Sequence, residues 1–136
     1  MDKPKTPRGI RNNNPLNIRI SGQKWRGKIK DNTDGSFEQF ETMEWGIRAA
    51  IVICRTYIRQ HHIDTPAAII KRWAPAVENN TEAYITYVLD EANLYRNERI
   101  SQNSKFQILR LLHAMAKYEN GVDVQFDHFE KAWAMI

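Results

Sequence analysis

From Thr42 onward the apolar positions recur at helical spacing. Trp45, Ile47, Ala50, Ile51, Cys54, Tyr57 and Ile58 share one face and predict a helix capped by Thr42 and ending near His61. Thr65 as cap and Pro66 at the first helical position predict a second, which runs to Trp73 and is closed by Pro75. A third begins at Asn80 or Thr81 and buries Tyr84, Ile85, Val88 and Leu89. A fourth, capped by Ser101 or Ser104, stops at Gly121. The last is short, over residues 127–136, with Phe126, Phe129, Trp133 and Ile136 turned inward.

Before Thr42 the pattern changes. Residues 1–7, "MDKPKTP", carry two prolines and no apolar residue after Met1, so they predict a flexible arm preceding a single domain over 8–136. Residues 8–19, "RGIRNNNPLNIR", combine amide and cationic side chains between the apolar Ile10 and Ile18, too polar for a core segment and too patterned for a tail. Next, Trp25 and Ile29 on one side and Phe37 and Phe40 on the other flank "DNTDGS". Its Asp34-Gly35 dipeptide predicts the turn of a small β-hairpin. The fold class expected is mainly α (α+β), with one hairpin and no internal repeat.

Composition narrows the function classes. With 136 residues, 42% hydrophobic and 26% charged, the chain can bury a core without disulfides or metals. No apolar run is long enough to span a bilayer, and no apolar stretch follows the basic N-terminus, so a Sec signal is not expected. The lone Cys54 forms no internal disulfide. His61, His62, His113 and His128 have no metal-ligand spacing, so neither metal nor cofactor is expected. The net charge of +4 favours acidic partners, whether nucleic acid, anionic lipid or an anionic polymer such as cell-wall glycan. No nucleic-acid motif is present. A solvated basic face is the plain alternative.

One carboxylate stands out. Ile108, Leu112 and Met115 line one face of the fourth helix, and the next position on that stripe is Glu119. At the edge of buried surface and at the negative end of the helix dipole, a carboxylate is disfavoured in its charged form, the condition for a general acid near neutral pH. Asn120-Gly121 then turns the chain away. The alternative is a frayed last turn with Glu119 in solvent.

"AMAKYENG" resembles the end of the catalytic helix in lysozyme-like muralytic enzymes, where an apolar helix delivers a glutamate. Asn13-Asn14, "NIR", "WRG" and "FEQFETMEWGIRAA" are similar to the segments that follow that helix in glucosaminidases and lytic transglycosylases. "RWAPAVENNTEAYITYV" resembles their later segment, in which a tyrosine lies near the scissile bond. The order is permuted: the glutamate helix is last. Together, "RGIRNNNPxNIR", "RWAPxxENNTxxYI" and "AMxxYENG" resemble a family of small phage and prophage proteins often described only as virion or structural proteins. The likeness covers Arg8 to the C-terminus, with Leu16 where that family more often has glycine.

The resemblance implies a circularly permuted lysozyme-like fold, physically accessible because domain termini commonly lie close together. It implies a peptidoglycan-cleaving glycosidase, lytic transglycosylase or muramidase, with Glu119 as general acid and base at the linkage between N-acetylmuramic acid and N-acetylglucosamine. Glu78 is the candidate second carboxylate, or else a residue favoured by the dipole of the helix it precedes. Asn12, Asn13 and Asn14 would meet the amides and hydroxyls of N-acetylated sugars, or else cap their own backbone as an Asx-rich turn. Arg11 and Arg19 would pair with lactyl or peptide carboxylates. Asn79, Asn80, Thr81 and Tyr84 would orient substrate, though Tyr84 equally fits a core position. Trp25 is the candidate stacking platform and Trp73 a core residue, while Asp31 and Asp34 serve the turn. The expected partner is peptidoglycan, reached in periplasm or cell wall after phage- or secretion-dependent delivery, or from a virion. A non-catalytic virion or tail-associated protein of the same fold is the alternative. A small basic nucleic-acid-binding protein is a third reading, which no known module fits.

Overall fold

A computed structural model describes residues 6–77 and 79–136. Most of the predicted arm, residues 1–5, and the candidate carboxylate Glu78 lie outside the described residues. Six helices are present among them: α1 (Arg8–Arg11), α2 (Met43–His61), α3 (Pro66–Trp73), α4 (Thr81–Ala92), α5 (Lys105–Asn120) and α6 (Phe126–Ala134). Among the described residues, no helix is long and apolar enough to cross a membrane.

Local chemistry sets the helix ends. Thr42 accepts from the Trp45 backbone N–H, Thr65 from that of Ala68, and Asn80 from that of Ala83, so each satisfies a donor the first turn leaves open. Pro66 opens α3, where its missing N–H costs nothing. Ser104 precedes α5 without a side-chain cap, and Gly121 ends that helix in the left-handed region at φ 70°.

α5 is the central element, packed against α1, α2, α4 and α6. Its Ile108, Leu111, Leu112 and Met115 are fully buried, together with Ile47 and Ile51 of α2, Ile85 and Val88 of α4 and Phe129 of α6. Two inward assignments are corrected. Ile136 is exposed, because α6 ends at Ala134 and the chain leaves the core face. Leu89 is only half-buried, at the border of the α4 stripe.

The expected hairpin is also corrected. The described residues hold no strand, only isolated antiparallel bridges joining Arg19 to Phe37 and Lys28 to Phe40. The two predicted arms do meet, with Ile29 N–H donating to the Gln39 carbonyl at 2.8 Å and Glu41 N–H to that of Gly27 at 2.8 Å. Residues 18–20 flank the same segment on its other side, where Glu38 N–H donates to the Ile18 carbonyl at 2.9 Å. A regular ladder is interrupted because side-chain amides occupy its acceptors. Asn32 donates to the Phe37 carbonyl at 2.8 Å, Asn14 to that of Glu38 at 3.0 Å, and Asn13 to that of Phe40 at 3.0 Å.

Asp34 joins this region to α1. Its carboxylate accepts two bonds from Arg8, at 2.7 and 2.6 Å, one from Asn12 Nδ2 at 3.0 Å, and the backbone N–H groups of Ser36 and Phe37. The Arg8 guanidinium, with those further donors, holds the Asp34 carboxyl far below its usual range. Asp34→Ala leaves Asn12 and two backbone donors without their acceptor, and is expected to lower stability by about 2 kcal/mol in urea titration. The folded-state value is depressed, so this contribution is complete above the ordinary 3.8 and fades as pH falls further, through the folded value. Wild type should therefore show a steeper acid slope below roughly pH 4 than Asp34→Ala, in which the lowered Glu44 and Glu82 still contribute.

Candidate active site

The last turn of α5 does not fray, because its end is tied to the opposite end of the chain. Asn120 is buried, and its Nδ2 donates at 2.8 Å both to the Ala116 carbonyl and to that of Pro15. Gly9 permits the approach: a Cβ there would lie 2.4 Å from Asn120 Oδ1 and 3.0 Å from the Asn14 carbonyl. With α5 anchored in this way, the stripe of Ile108, Leu112 and Met115 delivers Glu119 half-buried at the surface.

Glu119 Oε1 accepts a hydrogen bond from Asn17 Nδ2 at 2.9 Å. Both residues line an open groove of about 280 Å³, with Leu16, Arg19, Phe37, Trp73, Ala74 and Asn79. The groove runs on into a hollow of about 160 Å³ that shares Asn17, Arg19 and Trp73 and adds Ile18, Ile53 and Tyr57. Trp73 Nε1 donates to the Leu16 carbonyl at 3.0 Å, and its ring meets that of Tyr57 edge-on at 6.0 Å. Arg8 and Arg19 both lie over the Phe37 ring, 4.6 and 5.2 Å from its centre. Glu119 is the one carboxylate among the described lining residues.

The remaining candidates divide sharply. Asn79 lines the groove beside Glu119. Asn12, Asn13 and Asn14 do not, because their amides are engaged within the protein. Asn12 donates to Asp34 and accepts from Gln39, and Asn13 holds the Phe40 carbonyl. Asn14, fully buried, donates to two carbonyls and accepts from Ile18 N–H. Arg11 is exposed at the end of α1 and does not line the groove. Asn80 is the α4 cap, and Thr81 is buried with its hydroxyl donating to the Ala74 carbonyl at 2.7 Å.

Tyr84 is fully buried against the Tyr118 ring, their centres 4.2 Å apart, so it cannot touch a ligand in the groove. Its hydroxyl lies near the Glu119 carboxylate and interacts with it, without a well-aligned hydrogen bond to any described residue. Burial pushes this phenol well above its usual value, and the Glu119 charge pushes the same way. Tyr84→Phe removes a hydroxyl whose desolvation is offset only by its interaction with Glu119, so stability in thermal melts is expected to shift by no more than about 1 kcal/mol.

Trp25 packs half-buried on the core and does not line the groove, and its Nε1 is enclosed without a partner among the described residues. The aromatic wall is Trp73 instead. It stands at the C-terminal end of α3, where the apolar periodicity that marked it as core also brings it to the groove edge. Asn17 escaped the sequence reading as a site residue: no spacing marks it, and its left-handed backbone at φ 52° is visible only in three dimensions. Cys54 offers no nucleophile, since burial pushes its thiol up to about 12.

No protein-family model matches the chain. It is 37% identical over 130 residues, 93% of its length and 79% of the other protein's, to "Protein P5" of Pseudoalteromonas phage PM2.

Proposed function

The chain belongs to the family of Protein P5 of Pseudoalteromonas phage PM2, and we propose that within this family it is a peptidoglycan-cleaving glycosidase of circularly permuted lysozyme-like fold. The observation that carries the reading is the 2.9 Å bond between Asn17 and Glu119 on the wall of an open groove. A carboxyl group from the penultimate helix and an amide from the N-terminal loop thereby share one concave surface, the arrangement expected of a glycan-binding acid site.

Asn17 donates to Oε1, which leaves Oε2 as the oxygen to carry the proton. Transfer of that proton to the glycosidic oxygen lets the C1–O bond break with the electron pair leaving on oxygen, and an oxocarbenium-like sugar remains. The Glu119 carboxylate then removes a proton from the group that attacks C1. That group is water in a muramidase, or the 6-hydroxyl of the same sugar in a lytic transglycosylase, which closes a 1,6-anhydro ring. The second course needs no partner carboxylate. Trp73 offers the apolar face of a sugar ring a flat aromatic surface, and Asn79 offers its substituents a donor and an acceptor.

The test is incubation with purified peptidoglycan followed by mass spectrometry of the soluble muropeptides. Anhydro products lighter by one water support the transglycosylase, reducing ends support the muramidase, and an undigested sacculus removes both. A second reading, a non-catalytic virion component of the same fold, is favoured by the internal engagement of the Asn12, Asn13 and Asn14 amides. Delivery with a phage particle fits either.

A further inference from the structure

We propose that Asn17 is the positioning residue of Glu119: its amide fixes one carboxylate oxygen so that the other presents the proton to the groove. This rests on the glycosidase reading and adds to it a residue outside the predicted set.

Asparagine tolerates the backbone of residue 17 better than any other non-glycine residue, yet at this place its side chain carries a cost that glycine would not. The Asn17 backbone lies in the left-handed region, at φ 52°, which glycine adopts without steric penalty. Its Oδ1 is shut off from solvent and has no hydrogen-bond partner among the described residues, an arrangement that costs the desolvation of a polar atom. A glycine would remove both costs. What the asparagine alone supplies is the Nδ2 bond to Glu119 Oε1. Strain and an unmet polar group at one residue concentrate at functional sites, where the surroundings hold them in place.

Those surroundings are closely bonded. The Asn17 N–H donates to the Asn14 carbonyl at 3.0 Å, and Asn14 is itself fully buried with three side-chain bonds. Gly9 makes the room for Oδ1, since a Cβ there would stand 3.1 Å from it. The opposite amide orientation would set oxygen against the carboxylate oxygen, so Nδ2 must face Glu119 while that group is charged. Glu119 is thus held from beneath by α5 and from the side by a loop tied to the buried Asn14. An acid fixed by supporting bonds delivers its proton in one geometry.

Asn17→Gly in the full chain removes the amide and keeps the backbone conformation. On purified peptidoglycan, kcat is expected to fall roughly tenfold to a hundredfold with KM held. A folded Asn17→Gly with wild-type kcat overturns the proposal. Independently of activity, the side-chain amide protons of Asn17, followed by NMR, should move with pH in wild type and stay fixed in Glu119→Gln. Amide resonances indifferent to pH in wild type also overturn it, and this arm decides the matter if Asn17→Gly does not fold. Inactive wild type would remove the glycosidase reading, and the amide titration would still establish whether Asn17 holds Glu119.

Discussion

Glu119→Gln is expected to abolish digestion of purified peptidoglycan, with a loss of about 10²- to 10⁴-fold, the range for removing a positioned general acid. The substitution isolates the proton. Glutamine keeps the shape of the side chain and a carbonyl oxygen to accept from Asn17 Nδ2, so the 2.9 Å contact at the groove wall can persist. Its circular dichroism and melting temperature should match wild type, because the α5 end is secured by Asn120 and Gly121 and not by the carboxylate. Retained clearing by the glutamine variant would remove Glu119 from the chemistry. A variant that loses both clearing and its fold would mean that the Asn17–Glu119 contact is architectural, and the amide resonances of Asn17 would report that directly.

Gly46→Ala is expected to give the largest loss of stability, about 3 kcal/mol or more, because overpacking against backbone leaves nothing flexible to yield. A Cβ at Gly46 would stand 1.8 Å from the Asn13 carbonyl oxygen and 2.9 Å from its carbon. Asn13 cannot move aside alone. It sits in the left-handed region at φ 52°, its N–H donates to the Ile10 carbonyl, and its side chain holds the Phe40 carbonyl. Relief of the clash must therefore shift the loop that carries Asn17, and the groove with it. Differential scanning calorimetry should show a melting temperature lowered by roughly 10 °C, with activity lost in parallel. Gly22→Ala is the control: nothing lies within 4 Å of its Cβ position, so its melting temperature should stay near wild type. Equal behaviour of the two variants would mean that the first turn of α2 does not bear on the Asn-rich loop.

Both results depend on where two distant segments meet, and that marks the boundary of what a sequence can specify. Helices α2 to α6 were legible because their causes are local, whereas α1, a single turn inside the Asn-rich segment, was not expected. Thr42, Thr65 and Asn80 cap the first turns they precede, Pro66 opens α3, Gly121 closes α5, and a period of 3.6 sorts Ile108, Leu112 and Met115 onto one face. The same periodicity placed Glu119 at the end of the buried stripe, since a helix fixes the bearing of each residue relative to its neighbours. The Asn-rich segment was legible only as a peculiarity. Nothing within residues 8–19 tells which amides will face a ligand, because each can equally satisfy a carbonyl brought in from residues 37–40. Tertiary structure made that assignment. It drew Asn12, Asn13 and Asn14 inward, left Asn17 on the groove wall, and brought Trp73 there in place of Trp25. Helix position and capping follow from contacts within about four residues, whereas the partner of Glu119 is an asparagine 102 residues away in sequence. Contact at that separation is settled by packing of the whole core, and by glycines at 9 and 46 that leave the space for it.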